Sequence, residues 1–248
     1  MFGIVNGILL AIVTLLIVYP IYFIIVASVS DPTYVNLGQT LFWPKGLNIS
    51  GYQKIFEYSE ITTGYLNSIF YTVLGTCINL LVCIPTAFSL SRKELVGRGW
   101  INAFFVVTMY FSGGLIPSYL VVRSLKLLDT PFAVLLPGAV STYNLIITIT
   151  YFRGLPYELE EAAKIDGAGD YTVLFRIMVP LATPIIAVIA LYYMVGIWNN
   201  YFTPMLYLNK RSLFPLQLFL REILIQNNTA SITASQSDSA QAYAENVK

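Results

Sequence analysis

Ile61–Ser91 reads ITTGYLNSIFYTVLGTCINLLVCIPTAFSLS and holds no Asp, Glu, Lys or Arg. A run of this length exceeds the ~20 apolar residues that cross a ~30 Å hydrocarbon layer as a helix. Charge is equally absent from Met1–Ser30, Gly99–Val122, Thr130–Phe152 and Ile177–Asn209. Across 248 residues, 56% are hydrophobic and only 11% charged, against roughly 25% charged in soluble domains. With a mean hydropathy of +0.69, the chain has too little charge to cover a globule in water. The expected fold class is all-α, a polytopic helical membrane protein forming a single transmembrane domain over 1–248. Its spans are expected at about 4–29, 65–90, 101–122, 131–152 and 179–201.

Composition also removes several function classes. The net charge is +1 with no basic run, which excludes nucleic acid as a partner. Cys77 and Cys83 both fall in the second span and the chain has no His. Two such Cys read as small packing residues, so neither a metal site nor a catalytic residue is expected. Met1–Ser30 lacks a basic start and outruns the 7–15 apolar residues of a signal peptide. It reads as a retained helix, and the lack of charge ahead of it leads us to expect further residues before this start. Pro20, Pro85, Pro117, Pro137 and Pro184 lie in or near the spans and predict kinks, whose freed backbone groups neighbours or water must satisfy.

The connections differ in kind. Asp31–Gly64 is long and carries Trp43, Pro44, Gly46, Gly51 and Tyr52, as an ordered external loop would. Ser91–Trp100 is short and holds Arg92, Lys93 and Arg98, a density of cations that favours the cytoplasmic side. Beyond Asn209 the chain passes Lys210 and Arg211 into a Gln-, Asn-, Ser- and Ala-rich end with no apolar span.

The polar loop 153–179 carries the most pattern. Pro156 suits the first turn of a short helix, where its missing N–H costs little. Glu158, Glu160 and Glu161 follow, favourable near the positive end of the helix. Glu160 and Lys164 are spaced to pair at i,i+4. Leu159, Ala162, Ala163 and Ile165 offer a small apolar surface able to enter a shallow cleft. Gly167 and Gly169 permit the backbone to turn, and Asp170 is placed to cap the next helix.

The same residues form a spaced motif: Glu161-Ala162-Ala163, three residues, Gly167, nine residues, then Ile177-Met178-Val179-Pro180. This resembles the EAA loop of permease subunits of bacterial ABC importers, with Val179 where the pattern usually has Leu. Gly113-Gly114-Leu115-Ile116-Pro117, Leu135-Leu136-Pro137-Gly138 and Trp198-Asn199-Asn200-Tyr201-Phe202 resemble carbohydrate permeases of the maltose-system type. The nearest subgroup serves complex oligosaccharides, including pectin- or uronate-derived ones. The similarity runs from the first span to about Gln226.

The resemblance implies the type I ABC importer permease fold and a cytoplasmic loop at 153–179. It implies that Tyr157, Glu160, Glu161, Ala162, Ala163, Lys164, Asp166 and Gly167 form a coupling helix seated on an ATPase subunit. Its implied partners are a companion permease, an ATPase homodimer or pair, an extracytoplasmic solute-binding protein, a saccharide substrate and membrane lipid, in the bacterial inner membrane. ATP and Mg would sit at partner subunits, with no cofactor on this chain, which lacks a phosphate loop of the form G-x-x-x-x-G-K-[ST]. Such permeases carry a sixth span after the external region that follows the fifth. This chain reaches Lys248 without one, and truncation is the expectation.

A path for sugar wants amides, hydroxyls and aromatic faces. Asn67, Tyr119, Asn144, Tyr193 and Asn199 are the candidate lining residues, although such groups equally serve as hydrogen-bond links between helices. The region from Thr203 to about Gln226 is expected to face the solute-binding protein. Two other readings fit the composition: an ion-coupled secondary carrier, and a non-transporting membrane scaffold. The spans lack acidic residues, which weakens the first.

Overall fold

The computed structural model describes residues 2–225, with side chains described for all of these except 54–57. The polar tail at 226–248, expected to hold no span, lies outside the described residues. The chain divides into two compact units, Met1–Ile61 and Thr62–Lys248.

The first unit is built on α1 (Phe2–Ser28), apolar on every side with only Val26 buried. A helix of that kind is stable where its surroundings are also apolar. The chain then turns through a bridge between Ser30 and Leu47. The Asp31 carboxylate accepts the Thr33 N–H at 2.8 Å, capping α2 (Pro32–Asn36) with Pro32 at its start. The Tyr52 hydroxyl donates to Ser28 Oγ at 2.7 Å, and the Tyr19 and Phe42 rings meet at 5.8 Å. The expected external loop is thus ordered, and it includes α3 (Ser50–Glu57).

The second unit is organised around α4 (Ser59–Ser91). Pro85 lies inside it, and the Thr86 and Ser89 hydroxyls bond the carbonyls one turn back, those of Val82 and Pro85. Gly64 and Gly75 lie where a Cβ would come within 2.7 Å of Phe219 and of Ile197. Small residues there let neighbouring segments approach closely.

The segments expected as the other three spans are each divided. The third becomes α5 (Arg98–Tyr110) and α6 (Leu115–Ser124), bent by 116° at Ser112-Gly113-Gly114, with Gly114 at φ +86°. The fourth becomes α7 (Pro131–Leu135) and α8 (Thr142–Arg153), interrupted at Pro137-Gly138, where proline cannot continue a helix. The fifth is entered through a helical lead-in that begins at Asp170. It runs through α10 (Asp170–Thr172), a π-helical turn at Val173–Met178 and α11 (Val179–Leu181). It then bends by 83° into α12 (Thr183–Trp198). Among the described residues, two helices are long and apolar enough to cross a membrane, or four if each bent pair counts as one.

The largest core gathers Cys83, Ala87 and Phe88 of α4, Leu145, Ile149 and Phe152 of α8, the loop residues Val173, Leu174 and Met178, and Ile185 and Ile189 of α12. It lies at the end of the unit that carries the 153–179 loop. A second cluster joins Val134 to Leu208, Phe214, Leu218 and Phe219. Residues 210–225 are therefore packed rather than loose, and 216–225 is helical.

Candidate functional site: a lateral helix pinned to the bundle

The polar loop folds as predicted in outline. Residues Glu158–Ile165 form a helix, α9, with three acids in its first turn and Lys164 in its last. It closes on Gly167 at φ +82°, where the Gly167 N–H bonds Lys164 O at 3.0 Å and the Ala168 N–H bonds Ala163 O at 2.9 Å. These two bonds make a Schellman closure, which needs a left-handed residue at that point. Two details differ from expectation. Pro156 lies just before the helix, with Tyr157 as its cap position. Asp170 is the first residue of the next helix, whose cap is Gly169 without a side-chain bond.

The predicted site residues divide by direction. Glu160 is 1% exposed. Its Oε2 pairs with Nη1 of Arg92, and its Oε1 lies 2.9 Å from Lys164 Nζ. The Arg92 guanidinium rests over the Phe88 ring at 4.5 Å from the centroid. A carboxylate so deeply buried persists only when both oxygens are satisfied by cations or donors. Glu160 therefore fastens α9 to the chain just past the end of α4, and its expected i,i+4 pair with Lys164 is present. Tyr157 makes a second tie, its hydroxyl donating to Glu94 Oε1 at 2.6 Å. That bond pushes the Tyr157 hydroxyl above its ordinary range and holds the Glu94 carboxyl below its own. The hydrogen bond to Glu160 raises the Lys164 ammonium in the same way. Ala163 packs against the core.

Glu161, Ala162 and Asp166 are exposed, and Ile165 beside them is 86% exposed. Tyr171, four residues beyond Gly167, is 83% exposed. Large apolar side chains raised on a charged loop form a small surface suited to another protein. Arg92 and Glu94 were not among the predicted site residues. The available signal was position: Glu160 and Ala163 share a helix face at i,i+3, and Arg92 is the first cation beyond the uncharged run of α4.

The five candidate lining residues occupy three places. The Asn67 amide donates to Ser212 O at 2.8 Å and Phe214 O at 3.0 Å, and Asn199 Oδ1 accepts from Gln217 at 3.4 Å. Both thus bond the segment after the fifth span. Asn144 and Tyr193 are buried at α8 and α12, where the Ser141 N–H donates to the Tyr193 hydroxyl at 3.3 Å. Tyr119 stacks on Tyr207, with centroids 6.1 Å apart.

Around the same far segment, the Tyr71 hydroxyl donates to Leu213 O at 2.8 Å. Asp129 accepts the Lys210 N–H at 3.2 Å and the Asn209 side-chain amide at 3.3 Å. Backbone donation from Asn209, with the other bonds, holds the Asp129 carboxyl below its ordinary range. Arg211 pairs with Glu222 at 3.1 Å.

The fold and this loop define a helical membrane component that presents a short, fastened helix at one end of its core. The chain belongs to the family of binding-protein-dependent transport system inner membrane components, which residues 61–242 match. It is 41% identical over 211 residues to the polygalacturonan/rhamnogalacturonan transport system permease protein YtcP of Bacillus subtilis, covering 85% of this chain and 74% of that one. It is 39% identical over 240 residues to Protein LplC of the same organism, covering 97% of this chain and 80% of the relative. A crystal structure of a bacterial ABC transporter involved in import of the acidic polysaccharide alginate superposes with a TM-score of 0.85. That match has 37% identity and covers 89% of this chain and 79% of that one.

Proposed function

We propose that this chain is a permease subunit of an ATP-driven importer of oligosaccharides, with uronate-containing saccharides as the favoured class. The observation that carries the reading is α9: an exposed apolar and acidic face on a helix pinned to α4 by a buried carboxylate. A helix held in that way can pass a push from outside into the bundle, whereas a freely lying surface helix could not. The family match and the relatives' saccharide names supply the class of cargo.

In this reading Glu161, Ala162, Ile165 and Asp166 meet the ATPase subunit, Glu160 and Tyr157 fasten α9, and Gly167 closes it. The chain makes half of the pathway, alongside a companion permease, as one transmembrane domain. ATP and Mg bind to partner subunits, which perform the hydrolysis, and this chain contributes no catalytic group or cofactor. The 203–225 segment meets the solute-binding protein, with Lys210 as its outward charge, since Arg211 is engaged by Glu222 and the Phe214 and Phe219 rings.

The test is reconstitution with the companion permease, ATPase subunits and binding protein, scanning saccharides for stimulated ATP hydrolysis and uptake. Oligogalacturonides are expected to stimulate both. Uptake that follows an ion gradient and ignores ATP would overturn the proposal.

A further inference from the structure

We propose that a basic cavity beside the α9 fastening binds the phosphate of an anionic phospholipid. The cavity, about 640 Å³, lies where the C-terminal ends of α4 and α8 meet the N-terminal end of α5. It is lined by Arg92, Lys93, Arg98, Arg153 and Asn102, with Glu94 as its one carboxylate. Glu160 neutralises Arg92, and Glu94 already accepts the Tyr157 hydroxyl. Lys93, Arg98 and Arg153 have no carboxylate within ion-pair distance among the described residues.

The two arginines are oriented but not exhausted. Arg98 Nη1 donates to Arg92 O at 3.1 Å and Arg153 Nη2 donates to Leu90 O at 3.4 Å. Each bond fixes the side chain on a carbonyl at the end of α4, and the remaining guanidinium donors are left for another acceptor. Nε and Nη2 of Arg92 are buried without a partner among the described residues. The start of α5 adds its own positive end, because its cap, Gly97, supplies no side-chain bond.

Surplus positive charge gathered in a concave site selects an anion, and guanidinium forks suit phosphate oxygens. The position favours a lipid over a soluble phosphate. Trp100, 85% exposed, stands near the start of α5, which carries no charge beyond Arg98, and in such a place these rings sit at headgroup level. Basic pockets between membrane helices are a recurrent setting for acidic headgroups. This inference does not depend on the saccharide or on α9 docking.

Native mass spectrometry of the full chain in detergent provides the test, with titrations of phosphatidylglycerol, phosphatidylcholine and inorganic phosphate. The first phosphatidylglycerol adduct is expected to form well ahead of phosphatidylcholine. Removing Arg98 and Arg153 together as Gln should weaken it by about fivefold per cation. The Arg98→Lys/Arg153→Lys variant should retain the preference, which separates lost charge from lost structure. Equal binding of the two lipids, or undiminished phosphatidylglycerol binding by the Gln variant, overturns the proposal. Inorganic phosphate that displaces the lipid assigns the cavity to free phosphate instead. Gln variants that bind lipid normally but fail to retain the ATPase subunit assign these cations to that partner.

Discussion

Glu160 and Glu161 are neighbours of one chemical type with opposite placements, buried at the α4 fastening and exposed beside Ile165. They are therefore expected to fail differently. Glu160→Gln weakens the pair to Arg92, and removing one partner of a buried ion pair costs about 3 kcal/mol at the low end of the usual range. Its thermal unfolding midpoint in detergent should fall. Glu161→Lys should leave that midpoint unchanged and abolish coupled transport at matched expression; wild-type uptake would remove Glu161 from the docking surface. Gly167→Val forces a β-branched residue into a left-handed conformation, a strain of about 1–2 kcal/mol, and should uncouple transport while the protein still inserts.

Asp129 gives a prediction in pH. Its folded carboxyl titrates below its ordinary value, so its contribution is present above the unfolded pKa and is lost as pH falls through the folded one. Hydrogen exchange at the Asn209 and Lys210 amides should lose protection on acidification below the ordinary carboxylate range. Asp129→Ala should show the same loss at neutral pH. Protection independent of both would show that other contacts hold this turn.

Among the elements, α9 was legible because its signals are local: acids at the start, the pair at i,i+4, and a glycine at the stop. The direction of Glu160 was not legible, since it depends on Arg92, 68 positions away, and only tertiary packing brings the two together. The spans show the same division. Uncharged length marks the segments, but Gly113-Gly114 and Pro137-Gly138 decide whether each runs straight, and the sequence had suggested kinks rather than breaks. The helix leading into the fifth segment was legible from Gly167, Gly169 and Asp170, whereas its π-helical turn and the bend after Leu181 were not. Cysteine placed at Ile165 should label only from the cytoplasm, while cysteine in 31–64 should label from outside. Outside labelling at Ile165 would overturn the orientation and the coupling role together.

At the largest scale, that of the second unit, α4 links two polar sites. Asn67, Ser68 and Tyr71 hold the segment after the fifth span near its start, and Arg92 holds α9 just past its end. At 1.5 Å per residue, the distance from Asn67 to Arg92 along the axis is roughly 37 Å. The other apolar segments of this unit are divided by bends or breaks, so α4 is the continuous route between the two polar ends. Replacing Lys210 with Glu should weaken stimulation by the binding protein and leave basal ATP hydrolysis intact. Unchanged stimulation across a full titration would show that this charge has no docking role.

A continuous helix that both ends grip has a thermodynamic consequence. If the two surfaces bias the same rod, their coupling is reciprocal: whatever factor nucleotide imposes on affinity for the binding protein, the binding protein must impose on affinity for nucleotide. Under the proposed function, the external partner would thereby sense the state of the internal one without any diffusing messenger, and neither end would be solely the cause.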